Sequence, residues 1–411
     1  MRKGLAVAAV MGLVACGQSV SSPGVSLPAP KPFHPPSSWG LFVTDGQSFQ
    51  GSWHLIRLDA GTLRDGEIAG EGHGYAIASA DGSTLVEVDY QPNDTASVRV
   101  FDARNGTVRA SFQPVFADGP VLTPDGSQLL VNDNTGHSYR VFDTRTGRVT
   151  GGLESDMGPC CGLFDEWLDP TGSFLYGMLT PGSGYGAMGP VTPVLVRYDL
   201  RARRENGRVT LNGVQAGLWQ TERMIGTEHV MTSLVPGVAL SPDGSQLSVL
   251  YADGNRLMSI DTVTMKILAS RRVAPPPPTT SWFSLLPMDA EAKYDEGIQW
   301  STAYSPDGRR LVAAAWQTTI DQAGKFSTHG LGIRTIDVQK ASVIAQAPSV
   351  DAGQLRFAPD GSALYATILL TDGVEFANQA HMVLLRLDTS TLAMADRREF
   401  TSPRDILLLA R

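Results

Sequence analysis

The adjacent pair Cys160-Cys161 is the sharpest local candidate for chemistry in this chain. Cα atoms joined by a trans peptide lie only about 3.8 Å apart, below the usual range for a disulfide. A vicinal disulfide here would therefore be strained and rigid, and we expect it to form a rim element near the centre of the fold. Two free thiols and a pair of metal ligands are the alternatives.

Metal chemistry needs clustered ligands, and the seven histidines are scattered, with no pair at i, i+2 or i, i+4. Several acidic residues and histidines could still meet at one mouth of a central channel, where Ca²⁺ or Mg²⁺ is the candidate ion, although solvated loop charges are the alternative. These are His73, Asp118, Asp165, Glu228, His229, Glu296 and Asp351.

Other chemistries have no motif in the sequence. No Gly-x-Ser-x-Gly elbow, phosphate-cradling glycine loop or haem Cys-x-x-Cys-His motif is present, so no catalytic residue is assigned. The formal net charge is −8, and no basic stripe interleaved with aromatic residues is apparent. Because an acidic surface repels phosphate backbones, nucleic-acid binding is excluded.

A short turn recurs six times, and the repeated elements it defines must position any functional side chains. Each copy follows apolar residues and precedes an alternating β-rich run, which predicts a strand–turn–strand unit. Proline fixes φ at the first turn position and glycine accepts the left-handed conformation. The copies are Ser79-Ala80-Asp81-Gly82, Thr123-Pro124-Asp125-Gly126, Asp169-Pro170-Thr171-Gly172, Ser241-Pro242-Asp243-Gly244, Ser305-Pro306-Asp307-Gly308 and Ala358-Pro359-Asp360-Gly361.

A second repeated feature is a β-run that ends in an aspartate, whose carboxylate can cap the following turn. Seven copies end at Asp59, Asp102, Asp143, Asp199, Asp261, Asp337 and Asp388. Seven such runs against six turns predict an all-β, seven-bladed β-propeller of four-stranded antiparallel blades. The apolar segment 405–411 is expected to complete the N-terminal blade and close the ring.

The long insertions are all expected on one face of this disc. Residues 180–192, 317–330 and 370–380 are interpreted as loops within blades, and 213–235 and 271–297 as crossovers between blades. Long loops in compact domains are usually functional or disordered, so this face is the candidate binding surface. Aromatic residues within the insertions support that hypothesis, although they could instead pack the loops onto the disc: Tyr185, Trp219, Trp282, Phe283 and Phe326.

The N-terminus predicts export. Arg2-Lys3 precedes an apolar run that ends in Leu13-Val14-Ala15-Cys16. This segment resembles a bacterial lipobox, which implies a signal peptide over 1–15 and lipidation of Cys16. The Pro/Ser-rich stretch 16–37 is expected to act as a tether. Gly17 differs from the aspartate that the resemblance associates with inner-membrane retention, so the outer membrane is expected where the host has two.

The repeated turns and aspartate-ended runs resemble the YVTN-type, lactonase-like and TolB-type WD-repeat-like propellers of bacteria over 38–411. That resemblance is specific for the fold, and these families include both enzymes and binding proteins. We expect a monomeric, extracytoplasmic module that binds a protein, glycan or envelope component, with no cofactor required. The alternative is a lactonase-like or sugar-type hydrolase or lyase, with its site at the channel mouth.

Overall fold

The structure is a computed structural model, and the described residues are all-β. It describes residues 39–46, 52–58, 65–73, 75–90, 96–102, 107–113, 118–132, 138–154, 162–183, 187–225, 228–275, 295–320, 326–347, 353–370, 381–400 and 403–410. These residues contain no α-helix. Among them, no helical segment of a length and apolarity sufficient to cross a membrane occurs.

The strands are short and follow one another along the chain. The first eleven are β1 (Trp39–Gly46), β2 (Ser52–Leu58), β3 (Asp65–His73), β4 (Tyr75–Ala78), β5 (Thr84–Tyr90), β6 (Ala96–Asp102), β7 (Val108–Phe112), β8 (Asp118–Leu122), β9 (Gln128–Asn132), β10 (Ser138–Asp143) and β11 (Val149–Glu154). The next ten are β12 (Gly162–Leu168), β13 (Phe174–Thr180), β14 (Val194–Asp199), β15 (Arg204–Thr210), β16 (Gly217–Ile225), β17 (Glu228–Val235), β18 (Gly237–Leu240), β19 (Gln246–Leu250), β20 (Arg256–Asp261) and β21 (Lys266–Arg272). The last nine are β22 (Asp295–Tyr304), β23 (Arg310–Ile320), β24 (Phe326–Asp337), β25 (Ser342–Ala347), β26 (Leu355–Phe357), β27 (Leu364–Leu370), β28 (His381–Leu387), β29 (Met394–Phe400) and β30 (Pro403–Ala410).

The strands assemble into four-stranded antiparallel groups, which we call units 1 to 7. In order within each group they are β30-β1-β2-β3, β4 to β7, β8 to β11, β12 to β15, β18 to β21, β22 to β25 and β26 to β29. A single parallel bridge, Glu154↔Arg204, joins units 3 and 4 into one eight-stranded sheet. None of the described sheets closes on itself. The prediction of an all-β chain with four-stranded antiparallel sheets is confirmed.

The six repeated turns each connect the first two strands of a unit. In the copy at Ser241, the hydroxyl donates to Asp243 Oδ1 at 2.6 Å, and the amide of Gly244 donates to the Ser241 carbonyl at 2.8 Å. Gly244 has φ of 71°, and the corresponding glycine of every other copy also has positive φ. Glycine is required there because other residues reach that conformation only with strain.

The hydrophobic core lies between neighbouring units. One buried cluster joins Tyr176 and Met178 of unit 4 to Leu247 and Ile260 of unit 5. Equivalent clusters connect units 2 with 3, 3 with 4, 5 with 6 and 6 with 7. Among the described side chains, units 3 to 6 therefore bury both faces of their sheets against neighbouring units, which is how these short strands obtain a core.

The C-terminal strand joins the N-terminal sheet. Strand β30 pairs antiparallel with β1, from Trp39↔Ala410 to Val43↔Ile406. It also contacts β27 and β28 of unit 7 and β4 of unit 2. The last strand thus supplies the first position of unit 1, ahead of the three strands that begin the described chain.

Candidate binding face

The segment 213–235, expected as a crossover between blades, contains a hairpin formed by β16 and β17. Strand β17 pairs in parallel with β22, from Ser233↔Gly297 to Val235↔Gln299. The other edge of β22 pairs with β23, so the hairpin extends unit 6 beyond its first strand. In every other unit, as far as the described residues go, the first strand pairs on one edge alone.

The unit 4 segment between β13 and β14 holds the outer edge of this hairpin. The backbone amide of Leu218 donates to Ser183 Oγ at 2.7 Å, and that hydroxyl donates back to the Leu218 carbonyl at 3.0 Å. The amide of Gln220 donates to the carbonyl of Ala187 at 3.0 Å. The hairpin is therefore fastened to unit 4 on one side and to unit 6 on the other.

The second insertion of unit 6, 317–330, also forms strands where a loop was expected. Strands β23 and β24 continue their pairing to Ile320↔Phe326, so this hairpin is longer than its counterparts in other units. Arg223 of β16 donates from Nη2 to the carbonyl of Ile320 at 2.7 Å. We call β16, β17, residues 181–183 and 187–193, residues 316–320 of β23 and residues 326–330 of β24 the raised face.

One side of the raised face carries uncharged polar groups and a tryptophan. Gln299 pairs with Trp316 and Gly297 with Thr318, and cross-strand partners point to the same side of a sheet. Ser233 pairs with Gly297 in parallel. A Cβ added to Gly297 would lie 2.9 Å from the Ser233 carbonyl oxygen, so only glycine allows this close approach. The side chains of Ser233, Gln299, Trp316 and Thr318 are all half-buried.

A half-buried cation supports the loop of unit 5 beside this face. The Arg334 guanidinium lies 4.5 Å from the Trp300 ring centroid and donates to the Gly254 carbonyl at 3.1 Å. The Trp300 indole donates to the Ala252 carbonyl at 2.8 Å. Burial lowers the pKa of Arg334 to about 10, although Asp253 opposes that shift. Sequence reasoning did not single out Trp300, Trp316 or Arg334, because each lies in an ordinary strand pattern.

The structure describes only some of the residues that the sequence predicts for the site. Trp219 lies on β16 opposite Thr232, half-buried, on the side of the sheet away from Trp316. For His73, Asp118, Asp165, Glu228, His229, Glu296 and Phe326 the structure gives the strand position alone. Outside the described residues lie Cys16, Cys160, Cys161, Tyr185, Trp282, Phe283, Asp351 and the segments 1–15 and 16–37.

The candidate channel-mouth residues that the structure describes fall near strand ends, except Asp165, which lies in the middle of β12. Asp118 begins β8, Glu296 is the second residue of β22, and His73 ends β3. Met224 pairs with His229 and Ile225 with Glu228, next to the turn of the β16–β17 hairpin. Within the described part of the chain, no group of three or more His, Cys, Asp and Glu residues could hold a metal ion. The meeting of these side chains stays a prediction.

No protein-family model and no curated protein matches this sequence. Solved structures do resemble it. A putative 6-phosphogluconolactonase from Bacteroides uniformis has a TM-score of 0.52 at 11% identity, over 90% of this chain and 99% of that one. The periplasmic gluconolactonase of Pseudomonas aeruginosa has a TM-score of 0.51 at 16% identity, over 91% and 99%. Both are lactonase-like propellers. At this identity they establish the fold alone, and the chain has the architecture of a β-propeller.

Proposed function

We propose that this chain is a lipid-anchored, extracytoplasmic β-propeller that binds an uncharged, hydroxyl-rich ligand, a glycan of the cell envelope, at its raised face. Its seven units form a closed ring, with β30 completing the first. Cys16 carries the lipid, and residues 17–37 tether the propeller to the outer membrane where the host has two. The protein acts as a monomer and without catalysis.

The observation that carries the proposal is the β16–β17 hairpin. Its strand β17 occupies the edge of β22 that is unpaired in the first strand of the other units, and in a propeller the first strand lies nearest the centre. Contacts to units 4 and 6 hold the hairpin in this position. The repeated turns at the opposite ends of the strands are short and alike. In each of them the glycine amide donates a hydrogen bond to the carbonyl three residues earlier. In the proposed ring these turns and the raised face would lie on opposite sides, and a built-up side opposite a plain one is typical of a binding face.

The chemistry of the raised face favours a neutral ligand. Hydroxyl and amide groups of Ser233, Thr318 and Gln299 can donate and accept hydrogen bonds, and they lie on the same side of the sheet as the half-buried Trp316. An aromatic face covers the apolar C–H surface of a sugar, while the polar groups bond its hydroxyls. These four side chains carry no charge, so none of them offers an ion pair to an anionic ligand.

Two tryptophans on opposite sides of the same sheet provide the test. Trp316→Ala should weaken binding to a panel of neutral envelope polysaccharides about tenfold, since stacking contributes about 0.5–1.5 kcal/mol beyond area burial. Trp219→Ala is the matched control and should leave the affinity within about twofold. Isothermal titration calorimetry measures both. Equal losses in the two variants, or no binding to any member of the panel, would contradict the proposal.

The lipid anchor has its own test. Cells expressing the full chain should incorporate labelled palmitate into it, and Cys16→Ser should abolish incorporation. A labelled Cys16→Ser protein would place the acyl chain elsewhere. This measurement does not depend on what the raised face binds.

A second candidate function is lactone hydrolysis or a related reaction at the channel mouth. It is favoured by the two solved propellers whose names identify them as lactonases of gluconate type. The residues concerned would be the His, Asp and Glu set predicted at the strand ends, with Ca²⁺ or Mg²⁺ bound. Turnover of gluconolactone, together with a rise in melting temperature on adding Ca²⁺ or Mg²⁺ and its loss with EDTA, would support this candidate over simple binding.

A further inference from the structure

We infer that the outer strand of unit 5, β21, docks onto an anionic lipid surface. The inference rests on the proposed lipid anchor, because that anchor is what brings the propeller to a membrane. We call Arg256, Val263 and the residues of β21 the β21 patch. It lies on an outer strand of its unit, away from the first strands that carry the raised face.

The patch combines positive charge with exposed apolar side chains. Strand β21 carries Lys266, Arg271 and Arg272 and no carboxylate, and all of its residues except Ala269 are exposed. Leu268 is 59% exposed and Val263, in the preceding turn, is 74% exposed. Cations beside exposed aliphatic groups are typical of surfaces that bind at the headgroup level of a bilayer.

Two arginines of the patch face each other. Arg256 of β20 pairs directly with Arg272, and both side chains are exposed. Like charges directly opposite each other destabilise a sheet. Among the described residues, neither of these two guanidinium groups forms an ion pair. The carboxylate opposite Lys266 is Asp261, which accepts hydrogen bonds from the amide and the hydroxyl of Thr264. A phosphate group between the two arginines would remove the repulsion and accept bonds from both.

General protection of exposed strand edges does not explain the patch. Cations on edge strands do prevent edge-to-edge aggregation. Three other outer strands differ from β21: Arg397 of β29 pairs with Glu399, Arg208 of β15 pairs with Glu205 at 2.6 Å, and β25 carries no charge. The whole chain has a formal net charge of −8, so attraction to an anionic surface must come from a local cluster such as this one.

The position of the anchor makes a lipid the occupant. Residues 17–38 separate Cys16 from β1, and 22 residues span at most about 75 Å when extended. Every side of the propeller is therefore within reach of the membrane that holds the acyl chain. Binding by β21 would fix the orientation of the propeller on that membrane, which the anchor alone leaves free.

The test uses the chain from Gly17 onward, which keeps every described strand and lacks the acyl group, so that binding reports on the patch alone. It should sediment with vesicles containing phosphatidylglycerol and not with vesicles of phosphatidylcholine, and added salt should release it. Each basic residue near an anionic surface contributes about fivefold in partitioning, so R256Q/R272Q should bind about 25-fold more weakly. The matched control R397Q/R398Q changes net charge equally on the outer strand of unit 7 and should bind as the parent does.

Two further variants test the inference even if R256Q/R272Q fails to fold. R256K/R272K keeps the charge and should retain vesicle binding, and Leu268→Gln should weaken it without changing charge. Equal binding to both kinds of vesicle, equal losses in R256Q/R272Q and R397Q/R398Q, or no effect of either arginine pair would overturn the inference. So would retention on dextran sulfate without vesicle binding, which would identify an anionic polysaccharide as the partner. Because palmitate labelling tests the anchor separately, failure of either idea can be recognised.

Discussion

At the residue scale, the turn between the third and fourth strands of units 3 to 7 has a residue in the left-handed conformation four positions after the aspartate. Gly147 takes this position after Asp143, whereas Met265 (φ 52°) and Leu392 (φ 60°) take it with side chains that are buried. Left-handed φ costs a non-glycine residue about 1–2 kcal/mol. Met265 and Leu392 offset that cost by packing into the clusters between units 4 and 5 and between units 6 and 7.

Leu392→Ala should lower the free energy of unfolding by about 2–5 kcal/mol, because Leu392 is only 2% exposed and its loss leaves a cavity. Leu392→Gly should be no worse, since glycine relieves the strained φ that alanine keeps. This order reverses the usual one for buried positions in strands. Guanidinium denaturation of both variants measures it, and a glycine variant clearly less stable than the alanine variant would contradict the account.

Aspartates in both kinds of turn, the repeated turn after the first strand and the turn before the fourth, predict how the stability of the fold depends on pH. Hydrogen bonds from Ser390 and Thr391 lower the pKa of Asp388, and the Ser241 and Ser305 hydroxyls do the same for Asp243 and Asp307. A folded-state pKa below the unfolded value, about 3.9, gives stability that is complete above that pH and is lost as pH falls further. The melting temperature should therefore drop steeply below about pH 4.

Asp388→Asn isolates one contribution to this acid sensitivity. The variant should lose stability at neutral pH and lose less than the parent between neutral pH and pH of about 3. Asp396→Asn in the same unit is the control, since Asp396 Oδ1 accepts a bond from Arg397 and caps no turn. Parallel curves for the parent and Asp388→Asn, compared by thermal melts in a pH series, would argue against the linkage.

At the element scale, the β16–β17 hairpin depends on a few polar contacts at its edge. Ser183 is 9% exposed and makes two hydrogen bonds to the backbone of Leu218. Leaving a buried amide unpaired costs about 1–3 kcal/mol, which is enough to open one edge strand without unfolding the propeller. The hairpin is thus an element whose stability can be changed separately from that of the ring.

Ser183→Ala should make the backbone amides of β16 exchange with deuterium about tenfold faster or more, while those of β18 to β21 keep their protection. Ser173→Ala, which removes a hydroxyl from the first turn of the same unit, is the control. Hydrogen exchange read by mass spectrometry at peptide level resolves the two regions. Uniform acceleration across both would mean that the hairpin is not an independent unit.

The sequence predicted the repeated elements because their turns require particular residues, such as Gly244 at positive φ. It missed both hairpins of the raised face, since neither 213–235 nor 317–330 contains a copy of the repeated turn that identifies the other strands. It also missed the β21 patch. Arg256 and Arg272 are far apart along the chain, and only the antiparallel register of β20 and β21 brings them opposite each other. Their proximity depends on which residues of the two strands pair, and the charge pattern along the sequence does not reveal that register.

At the scale of the whole molecule, the fold depends on the last strand. Strand β30 has one partner in its sheet, β1, and contacts strands of units 7 and 2 as well. Without it, β1 would present an unpaired edge, and the sheets on either side would lose a neighbour. In the proposed ring this is the only junction that joins the two ends of the chain. Removing β30 should therefore lower the free energy of unfolding more than the loss of an ordinary edge strand would.

A chain ending at residue 402 should therefore unfold at a lower denaturant concentration, with a broader transition, and should self-associate through the edge of β1. Adding a synthetic peptide of residues 403–411 should restore part of the lost stability, because it pairs with the same edge and binds only the folded form. A scrambled peptide of the same composition is the control. Size-exclusion chromatography and denaturant titration measure both effects. If the shortened chain were as stable and monomeric as the full chain, the β30–β1 pairing would not be what holds the two ends together, and the closed ring would have to be abandoned.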